Sequence, residues 1–474
     1  ALRTYQSFLF FGLTGSGKTQ VYIEAAAKTR ELGRQVVVLV PEIALTGQII
    51  NRFKRRFGED VVVLHSKLSV GERFDTWQRL RHGDAGIVIG ARSAVFAPVP
   101  DPGLFIIDEE HEFTYKQEES PHYHTRLVAA KRAEISGSAL ILGSATPSVE
   151  TYYEALQAKH RLLAMPQRID DVPLPEVTVV DLREELKAGN RSVVSEKLRE
   201  LLNSTLQQRE QAIILLNRRG YSTFVICREC GYVMRCPHCA VSLVYHSAGG
   251  TLRCHYCQTR ENVPDVCPAC SSRYIRYFGT GTQKVEEELS SLFPQARIVR
   301  MDQDTTGGKM AHDRILNDFS VNKYDILLGT QMVAKGHDIK NVTAVGVISA
   351  DTALNLPDFR AAERTFALLT QAAGRAGRGD KPGRVVVQTY NPEHYAVQAG
   401  AAHDYEAFYR HEIEFRRELN YPPYSRLIKM TIQGNDESKT RSSAEQICLE
   451  LAPKLEGAGE VVGPFAAPVA RIND

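Results

Sequence analysis

The sequence predicts an α/β protein with two parallel-sheet lobes, a cysteine-rich insertion in the second lobe, and the start of a small α+β domain near the C-terminal end. Three observations lead to this prediction. Short β-branched runs alternate with helical patterns in two separate stretches, which indicates parallel sheets covered on both faces. Eight of the nine cysteines fall within residues 227–270. After residue 400 the pattern becomes helical and then meets YPPYS (421–425).

Length and composition describe an ordinary globular protein. A chain of 474 residues is too long for one core and suggests two to four domains. The net charge of +2 neither requires nor excludes nucleic acid, because binding needs a local basic stripe. No apolar run approaches the ~20 residues of a membrane span, and no signal-peptide pattern opens the chain. We therefore expect a cytoplasmic protein with no membrane partner. Both ends look cut, which indicates a fragment of a longer protein.

The predicted strands fall into two sets. The first set is FLFFG (8–12), QVVVLVP (35–41), VVVLHS (61–66), AGIVIGA (85–91), LFIIDEE (104–110) and ALILGSAT (139–146). The second set is QAIILLN (211–217), ARIVRMD (296–302), YDILLGTQ (324–331), VTAVGVISAD (342–351) and GRVVVQTY (383–390). Three prolines in MPQRIDDVPLPE (165–176) mark a linker between the sets. The predicted units are a first lobe at 1–165, a linker at 166–191, a second lobe at 192–226 and 271–400, an insertion at 227–270, and a C-terminal segment at 401–474.

A phosphate-binding loop follows the first predicted strand. GLTGSGKT (12–19) matches G-x-x-x-x-G-K-[ST] and stands between a strand and a helical pattern, as such a loop requires. Lys18 is expected to reach the β- and γ-phosphates of ATP, and Thr19 to bind Mg²⁺. The expected ATP-binding residues in this loop are Gly12, Thr14, Gly15, Ser16, Gly17, Lys18 and Thr19. A chance glycine-rich turn is the alternative.

Two carboxylates end a buried strand of the first lobe. FIIDEEH (105–111) places Asp108 and Glu109 at the C-terminal end of an apolar strand, where α/β sheets bind ligands. Asp108 is expected to hold Mg²⁺, and Glu109 to orient and deprotonate the attacking water. An acidic surface turn is the alternative, which the apolar strand before Asp108 disfavours.

Two arginines of the second lobe are candidates for the same site. QAAGRAGRG (371–379) carries Arg375 and Arg378 three residues apart, so both lie on one helical face. Arginine at a phosphoryl-transfer site stabilises developing charge, whereas two arginines alone are typical of a solvated basic face. The interleaved glycines and the phosphate-binding loop of the other lobe favour the catalytic role, with nucleotide bound between the lobes.

The cysteines form four CxxC pairs. These pairs favour metal binding over disulfides, because cytosolic enzymes with a phosphate-binding loop rarely keep disulfides. Eight thiolates can make two tetrahedral Cys₄ zinc sites, with a redox role or an iron–sulfur cluster as alternatives. AVSLVYHSAGGTLR (240–253) reads as a strand, a Gly-Gly turn and a return strand, which is a zinc ribbon. We therefore predict nested sites rather than sequential pairing. The inner site is Cys236, Cys239, Cys254 and Cys257, and the outer site is Cys227, Cys230, Cys267 and Cys270.

Candidate DNA contacts lie in two loops of the first lobe. Arg92 and Ser93 follow a strand end in GARSAVF (90–96) and suit a clamp on the phosphate backbone. Tyr115, Lys116 and Tyr123 lie in EFTYKQEESPHYHTR (112–126), where aromatic rings beside cations suit stacking on single-stranded bases. A polar loop with partly buried aromatic side chains is the alternative.

Taken in order, these stretches resemble the motifs of superfamily 2 helicases. The matching stretches are GLTGSGKT, PEIALT (41–46), GARSAVF, DEEH (108–111), GSATP (143–147), GTQMVAKGHDI (329–339) and QAAGRAGRG. The spelling of these motifs, together with four CxxC pairs inside the second lobe, resembles more closely the PriA family of bacterial replication-restart helicases. This resemblance covers essentially the whole chain.

The resemblance implies two RecA-like lobes with a double zinc-ribbon insertion in the second. It implies that Gln371 positions water or phosphate beside Lys18, Asp108, Glu109, Arg375 and Arg378. It also implies that Gly336 and Asp338 contact nucleotide or couple it to DNA. Mg²⁺ with ATP and two structural Zn²⁺ ions are the implied cofactors. We expect the DNA-binding region at the family's N-terminus to be missing from this chain.

The implied activity is that of an ATP-dependent 3′-to-5′ DNA helicase that acts at stalled replication forks and helps to assemble the primosome. The implied partners are forked and single-stranded DNA, single-stranded-DNA-binding protein and primosome proteins, with association to the nucleoid when bound to DNA. One alternative is a fork-binding scaffold with weak ATPase activity that recruits replication partners. A double-strand DNA translocase or an RNA helicase is another. The intact Lys18, Asp108, Glu109 and both arginines argue against the scaffold. The zinc insertion and the DEEH spelling disfavour the translocase and the RNA helicase.

Overall fold

The computed structural model describes residues 4–41, 47–65, 68–168, 173–216, 224–246, 250–277, 282–302, 311–330, 339, 341–377 and 381–465, with the backbone alone at 276–277 and 311–313. Strands and helices alternate through the first lobe. Its elements are β1 (Gln6–Gly12), α1 (Lys18–Glu31), β2 (Gln35–Leu39), α2 (Gly47–Phe57), β3 (Val61–Leu64), α3 (Val70–His82), β4 (Ile87–Gly90), β5 (Pro102–Asp108), α4 (Thr125–Ser136), β6 (Ala139–Ser144), α5 (Val149–Leu156) and β7 (Arg161–Met165).

The first sheet is parallel and runs in the order β3-β4-β2-β5-β6-β1-β7. Every residue of β2 and β4 is buried, because helices cover both faces of the sheet. The six predicted strands of this lobe are all present. β7 was not predicted, and its mostly exposed residues explain why: an edge strand need not show the continuous apolar run of a central strand.

The second lobe and its insertion follow. Their elements are β8 (Glu176–Asp181), α6 (Leu182–Lys187), α7 (Glu196–Gln207), β9 (Gln211–Leu215), β10 (Val225–Cys227), β11 (Val244–His246), β12 (Thr251–Arg253), β13 (Arg260–Asn262), β14 (Ile275–Tyr277), α8 (Thr282–Leu292), β15 (Ile298–Met301), α9 (Ala311–Ser320), β16 (Ile326–Gly329), β17 (Val342–Val347), α10 (Asp351–Leu354), α11 (Ala361–Ala373), β18 (Arg384–Thr389) and α12 (Tyr395–Ala401). The second sheet is also parallel, in the order β15-β16-β9-β17-β18-β8.

The predicted linker 166–191 is too long. β8 lies inside it and pairs in parallel with β18, from Glu176 opposite Arg384 to Asp181 opposite Thr389. The prolines at 173 and 175 stand immediately before this strand. They mark the true boundary, because proline cannot donate to a sheet ladder and is confined to strand ends and edges. The residues from Glu176 onward therefore belong to the second lobe.

The insertion contains two small antiparallel sheets. β11, β12 and β13 form one sheet, in which Val244 lies opposite Arg253 across the predicted Gly-Gly turn. β10 pairs with β14, so that Val225 lies opposite Tyr277. The first pairing confirms the predicted inner hairpin, and the second brings together the two chain segments that enclose it.

The C-terminal segment returns to the first lobe. It contains α13 (Tyr405–Glu418) and α14 (Glu437–Leu451). The rings of Tyr405 and Tyr409 pack edge-on against Tyr152 of α5, with ring centroids 5.0 and 4.7 Å apart. α14 buries no residue, and the residues described around it form no strand, so the described part of the predicted α+β domain shows its helical component. No described helix combines the length and apolar composition that crossing a membrane requires.

β6 passes directly under α1 at Gly143. A Cβ at this position would lie 1.7 Å from the hydroxyl oxygen of Tyr22 and 2.8 Å from its Cζ. Tyr22 is fully buried on α1 and therefore has no open space into which to withdraw. The packing of α1 on the sheet thus requires glycine at this point, and it lets the Tyr22 hydroxyl reach the end of β5.

Candidate active site and metal centres

The loop between β1 and α1 is built to hold an anion. Gly15 and Gly17 have φ of +85° and +89°, a left-handed conformation that glycine adopts without strain. α1 begins at Lys18, so the amides of Lys18 and Thr19 have no partners within the helix. The Lys18 ammonium donates to the carbonyl of Gly12 at 2.8 Å. The Ser16 hydroxyl is buried and has no hydrogen-bond partner among the described residues. These groups fit the phosphates of a nucleotide.

Two further segments meet this loop at Thr14. A Cβ at Gly374 would lie 2.7 Å from Thr14 Cγ2, so the second lobe approaches the loop closely at a glycine. Arg168, which follows β7, donates from Nε to the Thr14 carbonyl at 3.1 Å. Thr19 lies in the first turn of α1 and is half-buried. The Arg168 contact could not be predicted from the sequence, because no motif connects Arg168 to the loop.

Asp108 ends β5 and is half-buried. Tyr22 donates to its Oδ1 at 2.9 Å. Burial and the neighbouring Glu109 raise the pKa of Asp108 to about 6, although Lys18 and Tyr22 act in the opposite direction. A half-buried carboxylate with few donors suits a divalent cation, and Asp108 with Thr19 would hold Mg²⁺ here.

Glu109 turns away from the strand that precedes it. Its φ is +48°, a left-handed conformation that is uncommon for residues other than glycine and often found at functional sites. Its Oε2 is buried without a hydrogen-bond partner in the described part of the chain. The side chain therefore carries an unused acceptor beside Asp108, as a base that takes a proton from water requires.

Tyr115 lies beneath the same strand end. It is 1% exposed, and its hydroxyl is 2.7 Å from the carbonyl oxygen of Asp108 and 3.1 Å from that of Leu39. The prediction that Tyr115 stacks on DNA bases is wrong, because the turn at Phe113–Tyr115 directs its ring into the core. Tyr115 instead supports the backbone of Asp108.

His111 connects the two lobes. Its Nδ1 is 2.7 Å from the Ser144 hydroxyl at the end of β6, and its Nε2 is 3.0 Å from the amide nitrogen of Gln371 on α11. Each ring nitrogen of His111 thus hydrogen-bonds a residue of a different lobe. Gln371 therefore lies at the acidic strand end, and Arg375 follows, half-buried, one residue after Gly374. Arg378, Gly336 and Asp338 lie outside the described residues.

Glu110 is a buried residue of the same strand end that the sequence reasoning missed. Its carboxylate accepts from the Ser148 amide at 2.7 Å, from the Thr151 hydroxyl at 3.0 Å and from Arg126 at 3.2 Å. Ser148 and Thr151 belong to the start of α5. Glu110 therefore fixes α5 to the strand that carries Asp108.

The remaining predicted DNA contacts lie together at one edge of the first lobe. Arg92 donates to the backbone carbonyl of Lys116 at 3.1 Å and also hydrogen-bonds Tyr123. The Tyr123 ring packs edge-on against Phe96, with centroids 4.9 Å apart. Ser93 and Lys116 are exposed. Arg92 thus holds the loop after β5 against the segment that follows β4. The ammonium of Lys116 and the hydroxyl of Ser93 face solvent.

The eight cysteines of the insertion form two clusters in which all sulfur atoms lie within 4.8 Å of one another. The clusters are Cys236, Cys239, Cys254 and Cys257, and Cys227, Cys230, Cys267 and Cys270. The nested prediction is confirmed, and sequential pairing is wrong.

The sulfur spacing fits zinc. Sulfur atoms are 3.7 Å apart in Cys227–Cys270, 3.6 Å in Cys230–Cys267 and 3.4 Å in Cys236–Cys257. Four sulfurs that each lie ~2.3 Å from one ion in a tetrahedron are ~3.8 Å apart, whereas a disulfide is ~2.05 Å long. The residues therefore fit two Cys₄ zinc ions.

Family models match along the chain in the order of the fold. A DEAD/DEAH box helicase model matches residues 2–155, and a helicase conserved C-terminal domain model matches 270–380. The PriA DNA helicase Cys-rich region domain matches 236–261, and the primosomal protein N C-terminal domain matches 417–474.

Curated relatives decide the family. The replication restart protein PriA of Treponema pallidum is 42% identical over 468 residues, which are 98% of this chain and 70% of that protein. This chain belongs to the PriA family. The PriA of Bacillus subtilis is 52% identical over 470 residues, which are 99% of this chain. The chain spans 58% of the B. subtilis protein and 58% of the Synechocystis PriA, which is 47% identical.

The zinc sites of this PriA-family chain can be tested one at a time. The intact chain is expected to hold about two zinc ions, and Cys236→Ser should remove the inner one, because three thiolates hold zinc less tightly than four. Elemental analysis of purified protein measures zinc and iron together. Cys448→Ser, in α14 and outside both clusters, is the matched control and should keep both ions. Equal zinc content in the two variants would contradict the assignment, as would iron in place of zinc.

The raised pKa of Asp108 predicts that its charge destabilises the protein without nucleotide. An unfolded Asp carboxyl ionises near pH ~3.9 and the folded one near about 6, so stability is lost as pH rises between these values and stays lost at pH 7. Asp108→Asn should therefore stabilise the nucleotide-free protein at pH 7 by about 1–3 kcal/mol. The gain in the free energy of unfolding should shrink as the pH falls below 6. Urea unfolding at several pH values measures this change. Asp75→Asn, exposed on α3, should show neither effect. A variant at Asp108 no more stable than wild type would refute the argument.

Proposed function

We propose that this chain is the motor part of an ATP-dependent 3′-to-5′ DNA helicase that acts at stalled replication forks and supports primosome assembly. The observation that carries the proposal is the contact of His111 with Ser144 in one lobe and Gln371 in the other. This contact joins the strand end of the first lobe, which carries the carboxylates, to the second lobe. Binding or hydrolysis of nucleotide can therefore change the separation of the lobes. The relatives' names and the helicase family models support the same function.

The residues of the site have distinct roles in this proposal. The amides of the phosphate-binding loop and Lys18 bind the phosphates, while Asp108 and Thr19 hold Mg²⁺, which supplies positive charge against the β- and γ-phosphates when bound. Glu109 takes a proton from the attacking water. Gln371, Arg375 and Arg378 approach the transferring phosphate from the second lobe, where a guanidinium stabilises developing charge. Gly336 and Asp338 are proposed to contact the nucleotide or couple it to DNA.

DNA is proposed to bind along the edge where the first lobe's strands end. Arg92 and Ser93 follow β4, and Lys116 and Tyr123 belong to the loop after β5, so both segments leave the same edge of a parallel sheet. Lys116 and Ser93 would contact phosphates, and Tyr123 would stack on a base. Arg92 would act mainly through the loop that it holds, with a phosphate contact as its second role.

The two zinc ions are proposed to be structural. Four thiolates complete each site and leave no open position for catalysis. The insertion, held folded by zinc, would serve strand separation or partner binding. Single-stranded-DNA-binding protein and primosome proteins are the proposed partners, and the cytoplasm, at the nucleoid, is the proposed location.

Substitution of the proposed base separates a motor from a binding scaffold. Glu109→Gln should lower DNA-stimulated ATP hydrolysis about 10²–10⁴-fold, because general-base catalysis contributes that much. Nucleotide binding, measured with a fluorescent ATP analogue, should persist, since the phosphate-binding loop is unchanged. Glu119→Gln, at an exposed position of the neighbouring loop, is the matched control and should hydrolyse ATP like wild type. Equal hydrolysis by wild type and Glu109→Gln would exclude the motor.

The same proteins should be compared on forked DNA with separately labelled arms. Wild type is expected to displace strands only with ATP and with 3′-to-5′ polarity, whereas Glu109→Gln should bind the fork without unwinding it. Fork binding by wild type with no ATP-dependent displacement would support the scaffold instead.

A further inference from the structure

A fully buried arginine lies between the lobes, outside the nucleotide site. Arg416 of α13 is 0% exposed. Its guanidinium contacts Glu412 at 2.7 Å, Glu363 at 2.7 Å and Glu150 at 3.4 Å. Glu412 lies on α13 itself, whereas Glu363 lies in the first turn of α11 and Glu150 in the first turn of α5. One side chain therefore contacts both lobes and the C-terminal segment.

The carboxylates at this junction make further contacts across the lobes. Glu363 accepts from the backbone amide of Val149 at 3.0 Å, so the second lobe caps the start of α5. Arg360, next to α11, forms a second ion pair with Glu150. Burial disfavours the charged form of Glu150, but Arg360 and Arg416 outweigh it and hold its pKa below the ordinary value. Separation of the lobes would leave buried charges without partners, which is strongly unfavourable.

Aromatic rings shield the junction from water. The guanidinium groups of Arg360 and Arg416 lie 4.3 and 5.2 Å from the centroid of the Phe359 ring. Tyr421 stacks on Phe359 with centroids 4.8 Å apart and donates to the carbonyl of Cys239 at 3.1 Å. The insertion therefore covers one side of the ion cluster, and the low local dielectric strengthens the pairs.

α13 also contacts both lobes at its other end. The Tyr405 hydroxyl donates to the carbonyl of Pro147 at 2.8 Å, and its ring packs against Phe366 of α11 with centroids 5.7 Å apart. Pro147 lies three residues after Ser144, and Gln371 lies on the helix that begins beside Glu363. Both partners of His111 are therefore on segments that α13 holds.

We propose that α13 is a strut between the lobes, and that Arg416 is a positioning residue that keeps α5 and α11 together before nucleotide or DNA binds. The strut fixes the distance across which His111 meets Gln371. This role goes beyond the proposed helicase activity and does not require it, because it concerns the separation of the lobes alone.

Single-molecule energy transfer between dyes on the two lobes tests the strut. Dyes placed by unnatural amino acids at Lys131 of α4 and Lys197 of α7, both on exposed surface, report the separation. Wild type without ligands should give one narrow distribution. Glu150→Gln weakens the first-lobe contacts of both Arg416 and Arg360 and should raise the open population about tenfold.

Glu412→Gln is the matched control. It removes the same charge from the same guanidinium, but both residues lie on α13, so the distribution should stay like wild type although the protein melts at a lower temperature. An unchanged distribution in Glu150→Gln would overturn the proposal, as would equal opening in Glu412→Gln. If Glu150→Gln does not fold, Tyr405→Phe, which removes the contact with Pro147, should open the lobes in the same direction, and an unchanged distribution would again overturn the proposal.

The kinetics of ATP hydrolysis provide a second readout, which depends on nucleotide binding as well as on the separation of the lobes. Glu150→Gln should raise the KM for ATP by the factor by which its closed population falls, and should change kcat little, because part of the binding free energy must then close the lobes. Failure of hydrolysis in wild type would count against the proposed motor but leave the energy-transfer result standing. Opening in Glu150→Gln with an unchanged KM would limit the strut to the ligand-free state.

Discussion

The partial burial of one carboxylate, that of Asp108, is the constraint on which the rest of the site depends. A charge at the end of a covered parallel strand is costly, and the raised pKa of Asp108 reflects this cost. Tyr22 supports the carboxylate, and Tyr115 supports the carbonyl of the same residue. Tyr22 can do so only because residue 143 has no side chain. The site therefore keeps a destabilising charge in a fixed place, as binding of a divalent cation requires.

Two different kinds of interaction join the lobes. His111 uses hydrogen bonds to the uncharged side chains of Ser144 and Gln371, and such bonds can break and re-form at little net cost. Arg416 uses buried ion pairs, whose separation is unfavourable unless water enters. The hydrogen bonds of His111 suit a contact that responds to nucleotide, and the ion pairs of Arg416 suit a contact that persists. The proposed motor needs both a part that changes and a part that holds its segments in register.

The features that could be predicted well from the sequence are those formed by residues close together in the chain. The phosphate-binding loop, Asp108 with Glu109, and the inner zinc hairpin are local patterns, and each has the predicted neighbours in the structure. Tyr115 was wrong, because an aromatic residue beside a cation does not reveal which way its ring points. Glu150, Glu363 and Arg416 share no motif and lie far apart in sequence, so only the fold could bring them together. Arg378, Gly336 and Asp338 stay predictions.

The central claim is that the nucleotide site acts through the contact between His111 and Gln371. A double-mutant cycle on DNA-stimulated ATP hydrolysis measures this most directly, with His111→Ala, Gln371→Ala and the double variant. If the contact transmits the effect of the nucleotide, the double variant should hydrolyse ATP about as fast as the slower single variant. If the two losses instead multiply as independent effects, the lobes are not coupled through this contact and the account is contradicted.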